Sequence, residues 1–178
     1  MRLFIAINPS NEQIEEIKRV QSLFKTNDVN ASFTSNFHLT LKFLGEIDED
    51  KFEKLTFELA KVRFNKFNLK LSEIGAFPSK HHINVLWVGV EKNHNLDDLY
   101  NNIEESLKKF KIKEDHGFHP HITLARIKTL HDKKGFIKKM EETNINKLET
   151  KITSFTLYKS TLTPSGPIYE VVRDFLIN

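Results

Sequence analysis

Two histidine-threonine pairs are the residues of this chain best suited to catalysis. His38 and Thr40 lie in the stretch HLTLKFLG, and His121 and Thr123 lie in HITLAR, 83 positions later (121 − 38). An unperturbed imidazole titrates near ~6.5, so two histidines can serve as general acid and general base at neutral pH. Threonine hydroxyls can donate hydrogen bonds to oxygens on which negative charge develops. Together these groups suit in-line phosphodiester chemistry that needs no metal ion.

Both motifs alternate polar and apolar residues, which predicts a β-strand for each. Side chains two positions apart share a strand face, so each histidine lies beside its threonine while the apolar neighbours face a core. A one-residue slip would bury the histidine, and the pattern therefore fixes the register. If the two strands line a common cleft, the site holds two imidazoles and two hydroxyls. The residues alone leave open which histidine is the acid.

The elements that position the motifs occur in the same order twice. A motif strand, a helix and two further strands are predicted in residues 37–90 and again in residues 121–176. Strands are predicted at 3–7, 37–44, 67–71, 83–90, 122–127, 152–161 and 168–176, with turns at GAFPS and TPSGP; helices are predicted after Ser10, after Asp48, at 96–110 and at 133–142. The sequence thus predicts an α+β fold of two pseudo-symmetric lobes. Each lobe is an antiparallel sheet with helices outside, and the cleft lies between them.

Composition limits the remaining possibilities. A chain of 178 residues with 39% hydrophobic and 29% charged residues is typical of one globular domain, here taken as 1–178. The absence of cysteine excludes disulfides, thiolate nucleophiles and thiolate zinc sites. No apolar run approaches the ~20 residues that span a bilayer, and MRLFIAINPS does not fit a signal peptide. We therefore expect a cytoplasmic protein without a membrane partner. The net charge of +3 fits a polyanionic partner and a lysine-rich surface equally well.

Five stretches also carry a resemblance to a known family. RLFIAI, FHLTLKFLGEI, GAFP followed by VLWVGV, HPHITLAR and LYKSTLTPSGPIYEVV occur in this order from Arg2 to about Val172. Together they resemble the 2H phosphoesterases, and within these the RNA 2′,3′-cyclic phosphodiesterases, also called 2′-5′ RNA ligases. The resemblance implies hydrolysis of RNA 2′,3′-cyclic phosphate ends to a 2′-phosphate, with 2′-5′ ligation as the reverse reaction. It implies no metal and no cofactor. The partner would be such an RNA end, with tRNA fragments as candidates, and the protein would act as a monomer.

The resemblance also implies residue roles. His38 would be the proton donor to the leaving oxygen, and His121 the proton acceptor that activates water. Thr40, Thr123 and Arg126 would bind the substrate phosphate. Strand alternation places Arg126 on the face opposite His121, so its role requires the strand to bend or to end there.

Several other residues have a functional and a structural interpretation. His116, His119 and His121 could form a metal cluster, but no carboxylate or thiol completes a recognisable ligand set, and His119 is better explained as a loop residue that supports the site. His81 and His82 are expected on an exposed loop. Asn84 stands where similar proteins tend to have an arginine.

Four residues bear on what lines the cleft. Phe43 shares the apolar face of its strand, and Trp87 lies in the apolar run VLWVGV, so both are predicted to pack in the core. Tyr169 and Ser160, in the last hairpin, are candidates for the cleft wall. Two other functions remain open: a non-catalytic module that binds RNA ends, and a 2H phosphodiesterase that acts on a small cyclic nucleotide-type substrate.

Overall fold

The computed structural model describes residues 1–112, 117–164 and 166–177. The strands are β1 (Arg2–Ile7), β2 (Val29–Phe33), β3 (Leu39–Glu46), β4 (Phe67–Ser79), β5 (His82–Val90), β6 (His121–Leu130), β7 (Glu149–Ile152), β8 (Ser154–Thr163) and β9 (Gly166–Leu176). The α-helices are α1 (Asn11–Leu23), α2 (Glu49–Leu59), α3 (His94–Leu107) and α4 (Lys133–Glu142). A 3₁₀ turn, Lys108–Phe110, extends α3.

Within these described ranges, the strands form one antiparallel sheet. Its order is β7-β4-β5-β6-β3-β1-β8-β9, and β2 pairs with β6. The two strands that carry the histidine motifs, β3 and β6, are therefore central neighbours. The hairpin β4–β5 follows β3 in the chain but pairs with β6, whereas the hairpin β8–β9 follows β6 but joins β3 through β1. Each lobe thus draws strands from both of the repeated sequence units.

The helices cover one face of the sheet and leave the other open. Apolar residues of all four helices join the strand residues in one buried cluster, including Leu39 and Ile122. The first helix begins as predicted, since Ser10 accepts from the Gln13 backbone N–H and the Gln13 side chain accepts from Ser10 N–H. Alternation then turns the histidines and threonines of β3 and β6 to the uncovered face.

One prediction of local structure was wrong, and two short strands were not predicted. GAFPS is not a turn but the last part of β4, and the chain reverses at Lys80 and His81. The short strands β2 and β7 were not predicted, because VNASF and ETKI are polar and lack an apolar alternation. The extension of β4 matters for the site, since it carries Phe77 to the cleft face.

No helix in the described part of the chain is long and apolar enough to cross a membrane.

Candidate active site

The backbone pair Leu39–Ile122 joins the two motif strands. Both side chains are fully buried on the helix side of the sheet. The residues that flank this pair, His38 and Thr40 on one strand and His121 and Thr123 on the other, therefore share the opposite face, where all four are half-buried. The structure places the two predicted pairs together about a local two-fold relation.

Each histidine is held by a backbone carbonyl two residues before it. His38 Nδ1 lies 3.0 Å from the Asn36 carbonyl oxygen, and His121 Nδ1 lies 2.6 Å from that of His119. A carbonyl oxygen only accepts, so Nδ1 of each ring carries the hydrogen. Nε2 of both rings is then left for proton transfer. His119 thus supports the site through its main chain.

Aromatic rings wall both imidazoles. The ring of His121 packs edge-on against Phe77, with centroids 4.8 Å apart at 87°, and lies 6.1 Å from Trp87. Trp87 pairs across the sheet with Thr123 and is only half-buried, so the prediction that it packs in the core was wrong. Because GAFPS was predicted to be a turn, Phe77 was not predicted to line the cleft.

The second wall comes from β1 and the last hairpin. His38 lies 5.0 Å from the Phe4 ring and 5.3 Å from the Tyr169 ring, the latter edge-on at 89°. Tyr158 stacks on Phe4, and its hydroxyl donates to Asn8 Oδ1 at 2.7 Å. Tyr169 thus lines the cleft, as the sequence allowed.

Burial lowers the pKa of both histidines, because it penalises the charged ring. The backbone carbonyls oppose this effect by favouring the imidazolium. A charge on His121 lowers the pKa of His38, and the charges of His119 and Arg126 lower the pKa of His121. The two imidazoles are therefore electrostatically coupled, and His121 is the one that faces an arginine.

A β-bulge brings Arg126 to the cleft face. Opposite β5, Leu86 pairs with Ala125 and Trp87 with Thr123, so Leu124 is an extra residue in β6. Leu124 and Ala125 are both buried, and the alternation resumes with Arg126 on the side of His121. The bend that the role of Arg126 required is this bulge. The backbone carbonyl of Leu124, the extra residue of the bulge, accepts a hydrogen bond from Gln21 Nε2 of α1 at 2.9 Å.

The first motif strand bulges at the matching place. Opposite β1, Ile5 pairs with Lys42 and Ala6 with Thr40, so Leu41 is the extra residue. Lys42 therefore turns inward, where it is 2% exposed and lies 2.8 Å from Glu104 Oε1. Phe43 turns outward and is 55% exposed beside Phe4. The prediction that Phe43 packs in the core was wrong for this reason, and Phe43 occupies the position that corresponds to Arg126.

The remaining candidates lie apart from the histidines. His81, His82 and Asn84 are exposed near the β4–β5 turn, as expected for the histidines. Within residues 1–112, 117–164 and 166–177, no group of three or more His, Asp or Glu side chains is placed to hold a metal ion. The interpretation of His116 as a metal ligand lies outside the described residues.

The comparisons with known proteins agree with this geometry. A model of the family described as LigT like Phosphoesterase matches the chain twice, over residues 7–87 and 88–169. The chain belongs to this family. It is 37% identical to the RNA 2′,3′-cyclic phosphodiesterase of Methanocaldococcus jannaschii over 179 residues, which cover 98% of this chain and 100% of the relative. Among solved structures, Escherichia coli LigT in apo form has a TM-score of 0.78 at 26% identity, covering 99% and 96% of the two chains. LigT complexed with 3′-AMP has a TM-score of 0.74 at 26% identity, covering 99% and 97%.

Membership of the LigT-like phosphoesterases confirms the predicted resemblance and the two-lobed α+β fold. It also accounts for the repeated order of elements, because the family model matches each half of the chain.

Gly75 leaves room for the indole of Trp87, its partner across the β4–β5 ladder. A Cβ at this position would lie 2.2 Å from Cη2 of the indole, and the rigid ring would have to move. We expect Gly75→Ala to cost about 1–3 kcal/mol of stability by overpacking. Because misplacing a reacting group by 1 Å can cost ~10²-fold, we expect kcat/KM for a cyclic phosphate to fall about 10- to 100-fold. Thermal unfolding and steady-state kinetics would measure the two effects.

The matched control for Gly75 is a double-mutant cycle with Trp87→Phe. The smaller ring leaves room for the methyl group, so the cost of Gly75→Ala should largely vanish in that background. An equal cost in both backgrounds would place the effect of Gly75 elsewhere than at the indole.

Proposed function

We propose that this LigT-like phosphoesterase hydrolyses the 2′,3′-cyclic phosphate at the end of an RNA chain to a 2′-phosphate, without a metal ion. The observation that carries the proposal is the pair of half-buried imidazoles on one sheet face. Each is fixed through Nδ1 and flanked by a threonine. The name of the M. jannaschii relative, RNA 2′,3′-cyclic phosphodiesterase, supports this reaction class.

The reaction needs one proton removed and one supplied. In the proposed mechanism Nε2 of His121 accepts a proton from water as the water oxygen attacks phosphorus. The bond from phosphorus to O3′ then breaks, and His38 Nε2–H gives its proton to O3′. The phosphate remains on O2′. The hydroxyls of Thr40 and Thr123 and the guanidinium of Arg126 stabilise the charge on the non-bridging oxygens.

The electrostatics of the cleft support this division of roles. Burial is the largest cause of the lowered pKa of both histidines, and the charge of Arg126 lowers the pKa of His121 further. A neutral imidazole is what a general base requires. The charge that opposes protonation of His38 is that of His121 itself, and this charge is absent while His121 is neutral. The neutral His121 and protonated His38 form therefore has less repulsion than the reverse arrangement.

Phe43 is the residue proposed to contact the base of the substrate. This exposed ring, on the cleft face of β3, offers a flat surface on which the terminal base can stack. The solved complex of LigT with 3′-AMP supports a nucleotide ligand in this fold. If a 5′-hydroxyl replaced water, the same acid and base would join two RNA ends through a 2′-5′ linkage. Fragments of tRNA are one candidate source of such ends, and the protein would act as a monomer in the cytoplasm.

The pH dependence tests the two-histidine mechanism. Turnover requires one neutral and one protonated imidazole, a form that predominates between the two macroscopic pKa values of the pair. Both pKa values are lowered from 6.5, so kcat/KM should reach its maximum below pH 6.5 and fall as pH rises through the upper value. A bound phosphate anion favours the imidazolium, so the basic limb of kcat should lie at higher pH than that of kcat/KM.

Steady-state hydrolysis of cytidine 2′,3′-cyclic phosphate in EDTA between pH 4.5 and 9 would provide both profiles. Activity that rises steadily to pH 9 would contradict the need for a protonated histidine. Activity that requires an added divalent cation would contradict the metal-free mechanism.

A further inference from the structure

A second group of polar side chains lies on the cleft face, beyond His38 towards the edge of the sheet. In β1 the face that carries Phe4 also carries Arg2, two residues earlier. Phe4 pairs with Tyr158 of β8, so Ser160 lies on the same face, and Ser160 pairs with Tyr169 of β9. The Tyr169 ring contacts the Phe4 ring at 4.9 Å. Arg2 and Tyr169 are therefore neighbours across the two strands at this end of the cleft.

The charges of two guanidinium groups reach the Tyr169 hydroxyl. Burial raises the pKa of Tyr169, and the charges of Arg126 and Arg2 both oppose that rise. Arg126 comes from β6, on the side of His121, whereas Arg2 lies at the start of β1. A protonated Tyr169 hydroxyl is a hydrogen-bond donor. The three groups thus offer donors and positive charge to one region of the cleft.

These cations are available to a ligand. Among the described residues neither Arg2 nor Arg126 forms an ion pair or a side-chain hydrogen bond. Glu46 pairs with Arg2 across the β1–β3 ladder, but its carboxylate lies 3.4 Å from the amino group of Met1. Unpaired guanidinium groups at the edge of a cleft are well suited to bind a phosphate, because their planar N–H groups match its oxygens.

We propose that Arg2 and Tyr169 bind the phosphodiester on the 5′ side of the terminal nucleotide, while Arg126 stays on the cyclic phosphate. This subsite rests on the proposed function, since it needs a cyclic phosphate held between the histidines. Tyr169 lies against His38, at the end of the cleft that also carries Arg2. When the cyclic phosphate of an RNA end contacts both histidines and the terminal base stacks on Phe43, Arg2 is left to bind the phosphodiester of the preceding nucleotide. The site would then bind the end of an RNA chain more tightly than a free nucleoside 2′,3′-cyclic phosphate.

The test compares two dinucleotides that end in a 2′,3′-cyclic phosphate and differ only in the internucleotide linkage. One has a phosphodiester and the other a neutral methylphosphonate of the same shape. For the phosphodiester, we expect Arg2→Gln to lower kcat/KM about tenfold, as the loss of a hydrogen bond to a charged group predicts. For the methylphosphonate, the loss should shrink below about twofold, because the linkage carries no charge to bind.

Lys159→Gln is the matched control. Lys159 is a neighbouring cation, but its pairing with Leu3 places it on the other face of the sheet, and it lies 3.4 Å from Glu170. We expect the same kcat/KM as wild type on both dinucleotides. Tyr169→Phe, which keeps the ring against His38, should show part of the Arg2→Gln effect and the same dependence on linkage charge.

The outcomes separate the subsite from the reaction. Suppose that wild type cleaves both dinucleotides, and that Arg2→Gln either lowers the two rates equally or changes neither. The proposed phosphodiester subsite would then be wrong, while the proposed reaction would be unaffected. If wild type cleaves neither dinucleotide, the proposed function itself has failed.

Discussion

Replacing either His38 or His121 by alanine is expected to lower kcat/KM for a 2′,3′-cyclic phosphate by about 10³-fold. General acid-base catalysis by one positioned side chain contributes ~10²–10⁴, and each histidine here provides one of the two proton transfers. The double variant should lose little more than either single variant, because the two groups act as a unit. Initial rates, measured by separating the cyclic substrate from its product, check both expectations.

The histidine variants need controls for folding and for a general loss of histidine. His82→Ala and His131→Ala remove exposed imidazoles that lie outside the cleft, and both should retain the wild-type rate. Near-normal rates in both His38→Ala and His121→Ala would contradict the two-histidine mechanism. A different result would favour a non-catalytic module that binds RNA ends: neither the wild type nor any variant hydrolyses the RNA end, but all of them bind it with a normal salt dependence.

Arg126→Gln is expected to lower kcat by about 10²-fold, with a smaller change in KM. Loss of one donor that stabilises developing charge typically costs ~10²–10³ in kcat. Because Arg126 also lowers the pKa of His121, its removal should move the acidic limb of the pH profile to higher pH. A pH series of kcat and kcat/KM on the same substrate measures both effects.

Two further variants make the Arg126 prediction specific. Arg126→Lys keeps the charge but not the planar fork, so it should recover only part of the rate. Arg63→Gln removes an exposed arginine outside the sheet and should have no effect. If Arg126→Gln raised KM alone, Arg126 would bind the ground state and the transition state equally, and its assigned role would be wrong.

The histidine-threonine geometry could be predicted from the sequence because strand alternation is strict over short distances. Leu39 and Ile122 are buried, their neighbours face the cleft, and the two motif strands pair at that point. The matched flanks predicted two equivalent strands. What no alternation predicts is that these strands are adjacent, since their pairing spans 83 residues (122 − 39).

The residues around the histidines were harder to predict because each motif strand contains a bulge. One extra residue, Leu41 or Leu124, reverses the alternation that follows it, and nothing in its side chain marks the position. Phe43 was therefore predicted to be buried, and strand alternation alone placed Arg126 on the face opposite His121, which is why its predicted role required a bend. The pair of adjacent apolar residues Leu124 and Ala125 was the available signal for the second bulge.

Glycine and proline misled the prediction of the other cleft wall. In GAFPS they usually indicate a turn, but here Gly75 makes room for the Trp87 indole within a continuous strand. Once β4 extends to Ser79, Phe77 and Trp87 necessarily share the cleft face with His121. A glycine in a strand can therefore indicate the close approach of a large side chain from the next strand.

The most direct test of the central claim is the identity of the product. Phosphorus NMR of an oligonucleotide ending in a 2′,3′-cyclic phosphate, incubated with the protein in EDTA, distinguishes a 2′-phosphate from a 3′-phosphate. We predict a 2′-phosphate with wild type and unchanged substrate with His121→Ala. A 3′-phosphate would show that O2′ leaves and would contradict the assigned roles of the histidines, and unchanged substrate with wild type would contradict the proposed reaction.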